Sequence, residues 1–399
     1  MEGVVSPEEE QASSINYVLI KLASRCNYDC TYCYWFRDGS VRSLPAVIKP
    51  DVVEALIPAI ERHIARYRLK EFTCSFHGGE PTLYGVAQFK RLVRAIDDVA
   101  VRTKCDIRYA MTTNAALLSE AWIKVIVDFN VSVTVSLDGP PKINDARRVS
   151  ISNEGTWHKT VSGYLDLCRA GVRPSILAVC DPDADPIEIL DHLASDLGAT
   201  FCDVLIPDSN HNESPSSIKG FYIKLFDHWY DEYADRGVEL RILTDFMRGL
   251  LGLETQTESV GFAPTQTVCL ATDGSLEPHD VLRIAGVEQI ATTANIRTHE
   301  IGAITRDPNW QKVRKASISL CDTCLNCRYK NACGGGHIAQ RWSDARGYDN
   351  PSVYCEDLQA IFDHIAERLS DDIIAVKDGS ALPRATVAAL LRAGNAEFA

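Results

Sequence analysis

Three cysteines fall within eight residues, Cys26-Asn-Tyr-Asp-Cys30-Thr-Tyr-Cys33, directly after the apolar run Tyr17 to Leu22. Thiolates at C-x3-C-x2-C spacing let one loop wrap several irons of an iron–sulfur cluster. A four-iron cube then keeps one iron without a protein ligand, open to a molecule that must be bound and cleaved. A zinc loop and three buried thiols are the competing readings. Zinc favours two C-x2-C-like pairs that close four ligands, and a fourth local ligand is missing here.

The rest of the chain suits an open-iron loop at the end of a strand. Short apolar runs alternate with amphipathic stretches through the first half, the pattern of βα units and a parallel sheet. Candidate strands are Tyr17–Leu22, Phe72–Phe76, Ile107–Thr112, Val131–Leu137, Ser175–Val179 and Cys202–Ile206. Candidate helices between them are Pro50–Tyr67, Val86–Val101, Ser119–Phe129, Thr160–Ala170 and Ile187–Leu197. At 399 residues the chain has room for one large α/β domain and a smaller module. The expected order is a polar segment over 1–16, a barrel over 17–207, a helical bridge over 208–261, a cysteine-bearing module over 262–358 and a helical tail over 359–399.

Composition excludes several functions. A net charge of −13 argues against nucleic-acid binding, which needs basic stripes. No apolar run reaches 18 residues, so a membrane partner is not expected. The acidic start of the chain does not have the pattern of a secretory signal. Fourteen cysteines without such a signal predict metal chemistry in a reducing cytoplasm rather than disulfides.

Further motifs stand where strands end. His77-Gly78-Gly79-Glu80-Pro81 follows the second run, Thr113-Asn114 the third, and Ser136-Leu137-Asp138-Gly139-Pro140 follows Val131 to Val135; Asn144-Asp145-Ala146-Arg147-Arg148 comes next. Parallel α/β folds place their chemistry at such strand ends. In this order, with Tyr32 and Tyr34 flanking the triad, they resemble the radical S-adenosylmethionine (SAM) superfamily. The resemblance implies a partial (β/α)6 TIM-like barrel and a [4Fe–4S] cluster on Cys26, Cys30 and Cys33. It also implies SAM held near Tyr32, Gly78, Gly79, Glu80, Asn114, Ser136 and Arg148. Asn144 stands where the family's H-D-x-x-R segment has histidine.

A second set reads Cys321-x2-Cys324-x2-Cys327-x5-Cys333-Gly-Gly-Gly-His337, with Cys355 after 17 intervening residues. A structural zinc knot is one reading. Cys324, Cys327, Cys333 and Cys355 also resemble the outer-cluster ligands of a SPASM-type auxiliary iron–sulfur module, which implies an auxiliary [4Fe–4S] cluster. At the inner-cluster positions of that module this chain has His279 and His337, and no cysteine between Leu250 and Val268. A conventional inner cluster is therefore not expected. Cys269 and Cys321 are left over as uncertain ligands with the two histidines, Cys269 more simply as a core thiol.

The segments Glu277 to Arg283 and Tyr348 to Leu358 resemble maturases that crosslink side chains of ribosomal peptides, cyclophane formers among them. That resemblance implies splitting of SAM to a 5′-deoxyadenosyl radical and hydrogen abstraction from a peptide carbon. Asp280 is expected as catalytic base because it matches a catalytic aspartate position of the related sulfatase-maturing enzymes. The partners implied are a ribosomal precursor peptide and an electron donor such as flavodoxin or ferredoxin. Formylglycine formation, as in anaerobic sulfatase maturases, is the alternative, with thioether formation and epimerisation behind it. With about 16 residues ahead of the first strand, no leader-binding winged-helix domain is expected before the barrel.

Overall fold

From Val18 to Ala23 every residue of the first strand is buried, as a strand covered on both faces must be. The computed structural model of the chain describes residues 7–37, 39–262 and 264–377. The first six residues of the expected polar segment, and residues 378–399 of the expected tail, lie outside the described residues. Nine strands occur among those described: β1 (Tyr17–Ala23), β2 (Glu71–Gly78), β3 (Asp106–Thr113), β4 (Ser132–Ser136), β5 (Ser175–Val179), β6 (Phe201–Leu205), β7 (Glu239–Leu240), β8 (Val268–Leu270) and β9 (Leu276–Glu277).

The described residues divide into two compact units. The first takes those up to Leu137, then Asp145–Pro174 and Thr265–Lys315. The second takes Asp138–Asn144, Ser175–Pro264 and those from Ala316 onward.

In the first unit β1 pairs in parallel with β2, β2 with β3 and β3 with β4. Helices Pro50–Tyr67, Val86–Thr103 and Glu120–Asp128 make the crossovers between them. Each turns one apolar face inward, for instance Phe89, Leu92, Val93 and Ile96 of the second. On its other edge β1 pairs in parallel with β8, and β8 with β9 in antiparallel. These last strands, three and two residues long, are too short to give a hydrophobic period. They nevertheless bring the Glu277–Asp280 segment alongside β1.

In the second unit β5, β6 and β7 pair in parallel. The expected helix over Ile187–Leu197 is instead a helix at Pro186–Asp191 followed by a wider π turn at His192–Asp196. Helices Lys219–Glu232 and Arg241–Leu250 follow. Helix Cys355–Lys377 begins at the last cysteine of the second set. No helix among the described residues is long and apolar enough to cross a membrane.

Candidate active site

Register places the first motifs together. Ala23 is opposite Gly78 at the ends of β1 and β2, so the triad loop and the Gly-Gly-Glu loop leave the sheet side by side. Gly79 N–H donates to Ala23 O at 2.8 Å and Glu80 N–H to Arg25 O at 2.9 Å. A Cβ on Gly78 would sit 2.3 Å from Ala23 O, and one on Gly79 would sit 2.3 Å from Arg25 O. The two glycines therefore let the triad loop's own backbone come close. The loop is tied down further by Asp29 N–H to Val149 O (2.8 Å) and Thr31 N–H to Arg147 O (2.9 Å).

Burial pushes the Cys26 thiol up to about 12, with the Glu80 carboxylate and the thiols of Cys30 and Cys33 adding to the effect. Burial raises Cys33 as well. Protons must leave these thiols when a metal group binds. Cys26 Sγ already accepts from Tyr28 N–H at 3.4 Å, a contact suited to a thiolate. Among the described residues no three His, Cys, Asp or Glu side chains converge tightly enough to hold a single metal ion.

Glu80 is buried and receives four donors. Its Oε1 accepts from Thr82 N–H (3.0 Å), Thr82 Oγ1 (2.6 Å) and Thr113 Oγ1 (2.7 Å), and its Oε2 from Asn114 N–H (2.8 Å). Burial raises its pKa against the pull of these bonds. Asn114 Nδ2 donates to Asn27 Oδ1 at 2.9 Å and reaches Cys26 Sγ at 3.8 Å. The β3–β4 register, Thr113 opposite Val135, sets Ser136 level with Asn114. Arg148 Nη1 donates to Tyr32 Oη at 2.6 Å, and the Arg147 guanidinium lies 4.3 Å over the Tyr32 ring. Asp145 Oδ1 accepts the N–H groups of Thr156 and Trp157, which fastens the start of helix Trp157–Arg169. Tyr32, Gly78, Gly79, Glu80, Asn114, Ser136 and Arg148 thus all lie at strand ends and loops of the first unit.

Asp280 lies in the same unit, in a buried polar group the motifs did not disclose. Its Oδ2 is ion-paired with Lys21 and accepts from Tyr34 Oη at 2.6 Å. Lys21, fully buried on β1, also meets His77 Nδ1 at 3.1 Å and donates to Tyr34 Oη at 3.2 Å. Its ammonium stands 4.3 Å from the Trp35 ring centroid, with Arg283 at 4.5 Å from the same ring. Burial alone would raise Asp280, but Lys21 and His279 override it and hold the carboxyl well below its usual range. Burial and Lys21 depress His77 to about 3, so its ring stays neutral. The one signal in the sequence was a lysine inside an otherwise apolar strand.

The uncertain ligands divide between the units. In the first, Cys269 is fully buried in β8, opposite Leu19 and Glu277. His279 Nδ1 accepts from Val281 N–H at 3.4 Å and lies 3.4 Å from Asp280 Oδ1. In the second, His337 is buried at the start of the turn Ile338–Arg341. Cys324, Cys327, Cys333 and Cys355 line one cavity of that unit, with Gly335 and Phe362; Cys321 does not. Burial lifts Cys324 and Cys333 to about 12, neighbouring thiols adding to both. Gly334, Gly335 and Gly336 all take positive φ (62°, 87° and 74°), which glycine alone adopts without strain. That turn brings the Gly335 N–H toward the Cys333 sulfur, while Gly336 N–H donates to Cys333 O at 3.0 Å. Tyr329 N–H reaches Cys327 Sγ at 3.4 Å and Gln359 Nε2 reaches Cys355 Sγ at 3.3 Å. Four thiols around one cavity, three with N–H donors, suit an anionic iron–sulfur cluster.

Residues 20–194 match the family model of the Radical SAM superfamily. Over those residues the chain is a radical SAM domain. The protein is a radical SAM enzyme on an α/β fold, and the cofactors of that superfamily are a [4Fe–4S] cluster and SAM. It is 23% identical to the cysteine-type anaerobic sulfatase-maturating enzyme of Clostridium novyi over 376 residues, covering 90% of this chain and 96% of the relative. The solved structure of native anSMEcpe with bound AdoMet aligns at a TM-score of 0.78 and 22% identity, covering 89% of this chain and 98% of that one. Streptococcus suis SuiB aligns at a TM-score of 0.62 and 15% identity, covering 87% and 79%.

Proposed function

We propose that this radical SAM enzyme modifies a ribosomally made precursor peptide in the cytoplasm, taking hydrogen from a residue's Cβ and closing a side-chain crosslink such as a cyclophane C–C bond. When bound at Cys26, Cys30 and Cys33, the cluster and SAM supply a 5′-deoxyadenosyl radical. Glu80, Asn114, Ser136, Tyr32 and Arg148 would orient SAM, its amino group donating to Glu80, whose Oε2 carries one donor. A flavodoxin or ferredoxin would be the electron source.

The observation that carries the reading is the setting of Asp280. A crosslinked aromatic ring regains aromaticity by losing one electron, which the auxiliary cluster would accept, and one proton, which needs a fixed base out of water. Oδ2 of Asp280 is occupied by Lys21 and Tyr34, so a proton would be taken at Oδ1, where His279 is the existing partner. His279, at a position where the auxiliary-module pattern has a cluster cysteine, stands beside Oδ1 instead.

Likeness to the Clostridium novyi sulfatase maturase over most of both chains favours a second reading, oxidation of a peptide cysteine to formylglycine. One experiment separates the two. The protein is reconstituted anaerobically with iron and sulfide, then given SAM, dithionite and two synthetic peptides. One peptide carries a Trp and Tyr motif with aliphatic neighbours, the other a cysteine in place of the aromatics. Loss of two hydrogens from the first with a new ring–side-chain bond supports crosslinking; formylglycine in the second supports the alternative. No 5′-deoxyadenosine with either peptide defeats both.

A further inference from the structure

Arg341 is among the largest fully buried side chains of the protein, in the second unit. Its guanidinium bonds only backbone carbonyls: Nε to Asn350 O (3.1 Å), Nη1 to Ala316 O (2.8 Å) and Nη2 to Ser319 O (2.6 Å). No carboxylate among the described residues pairs with it. Asp349, whose field reaches it, is exposed and bonded to Arg346 at 3.1 Å. Arginine does not shed its proton in proteins, so this charge remains. A buried unpaired charge is costly, and native folds place a counter-charge near it.

The candidates for that counter-charge are sulfurs. Those of Cys324, Cys321 and Cys333 are close enough to act on Arg341 electrostatically. Gly335 lines the four-cysteine cavity. Arg341 Cδ and Nε lie 3.6 and 3.7 Å from where a Gly335 Cβ would be, beside Leu320 Cδ2 at 3.1 Å, so the cation packs directly behind a glycine of that wall. The carbonyls that hold the guanidinium belong to the segment leading into Cys321 and Cys324 and to the one leading to Cys355. The cation is thereby fixed beside the cavity rather than free to swing to solvent.

We infer that Arg341 is the counter-charge of an anionic auxiliary cluster at Cys324, Cys327, Cys333 and Cys355, and that it raises the reduction potential of that cluster. The inference rests on the auxiliary-cluster reading. A fixed cation beside the cluster favours the more negative, reduced form. Arg341 is a positioning residue and touches no substrate.

The test uses the full chain with Cys26, Cys30 and Cys33 replaced by alanine, so that any remaining cluster is the auxiliary one. After anaerobic reconstitution, iron and sulfide are counted and the cluster is titrated potentiometrically by electron paramagnetic resonance. Absence of four irons and four sulfides here defeats the cluster reading before Arg341 is altered. With the cluster present, R341Q and R341M should shift the reduction equilibrium at least tenfold toward the oxidised form, about 59 mV for one electron. R341K, which keeps the charge, should stay near the parent. Loss of the cluster from both neutral variants but not from R341K also supports counter-charge. An unchanged potential in a loaded neutral variant overturns the inference. So does loss of the cluster from R341K along with the neutral variants, which would make Arg341 a clamp of the backbone alone.

Discussion

Lys21 and Arg341 are both buried cations, but they are neutralised in different ways. The Lys21 ammonium has three donors and meets three partners, Asp280 Oδ2, Tyr34 Oη and His77 Nδ1, with the Trp35 ring against it. Its counter-charge is a side chain of the same polypeptide. Arg341 meets only carbonyls, and the sulfurs near it become anions only when their protons are displaced. Lys21 therefore has its counter-charge in the folded chain, whereas Arg341, on the inference above, gains one only with a bound group. A buried charge with no partner in the sequence is thus informative about what the protein binds.

The largest expected effect is at the complete pair. K21M leaves Asp280 as an uncompensated buried carboxylate and should cost about 3–5 kcal/mol in denaturant unfolding. D280N should cost a similar amount. The double variant K21M/D280N should recover much of the loss; additive costs would show that the two charges do not depend on each other.

The buried pair Glu277–Arg283 (3.0 Å) sharpens the comparison through pH. Burial raises Glu277 from 4.5 to about 7, Arg283 opposing the shift. The folded state then binds more protons than the unfolded one between these values, so stability falls as pH rises through that window. Wild type minus E277Q, followed by thermal unfolding, should lose on the order of 2 kcal/mol from pH 4.5 to 7. A flat difference would place the Glu277 proton elsewhere.

At Arg341 the cost should depend on metal. In chelator-treated protein R341M should lose less than K21M loses, because the three stranded carbonyls, about 1–3 kcal/mol each, are offset by relief of an unpaired buried charge. In reconstituted protein the loss should be greater. Equal losses with and without metal would make Arg341 a second Lys21. The smallest effect is expected of C321S: Cys321 does not line the four-cysteine cavity, so iron content should stay unchanged. A fall in iron would bring Cys321 into the ligand set.

The sequence determined the strand-end loops and their chemistry, because thiol spacing and glycine needs are local. β5 lies where its apolar run predicts, and helix Pro50–Tyr67 matches residue for residue. Glu80, Asn114 and Ser136 were legible as residues following strands, since parallel register carries neighbouring strand ends to one level. Only tertiary structure decided what partners those residues have. Lys21 and Asp280 are far apart in sequence and meet because the short β8 and β9 extend the sheet beyond β1. No motif marks Arg341, and it is the packing of three segments around the cysteine cavity that buries it. Hydrophobic period and motif spacing encode neighbours along the chain; the pairing of buried charges is settled by which elements fold against each other.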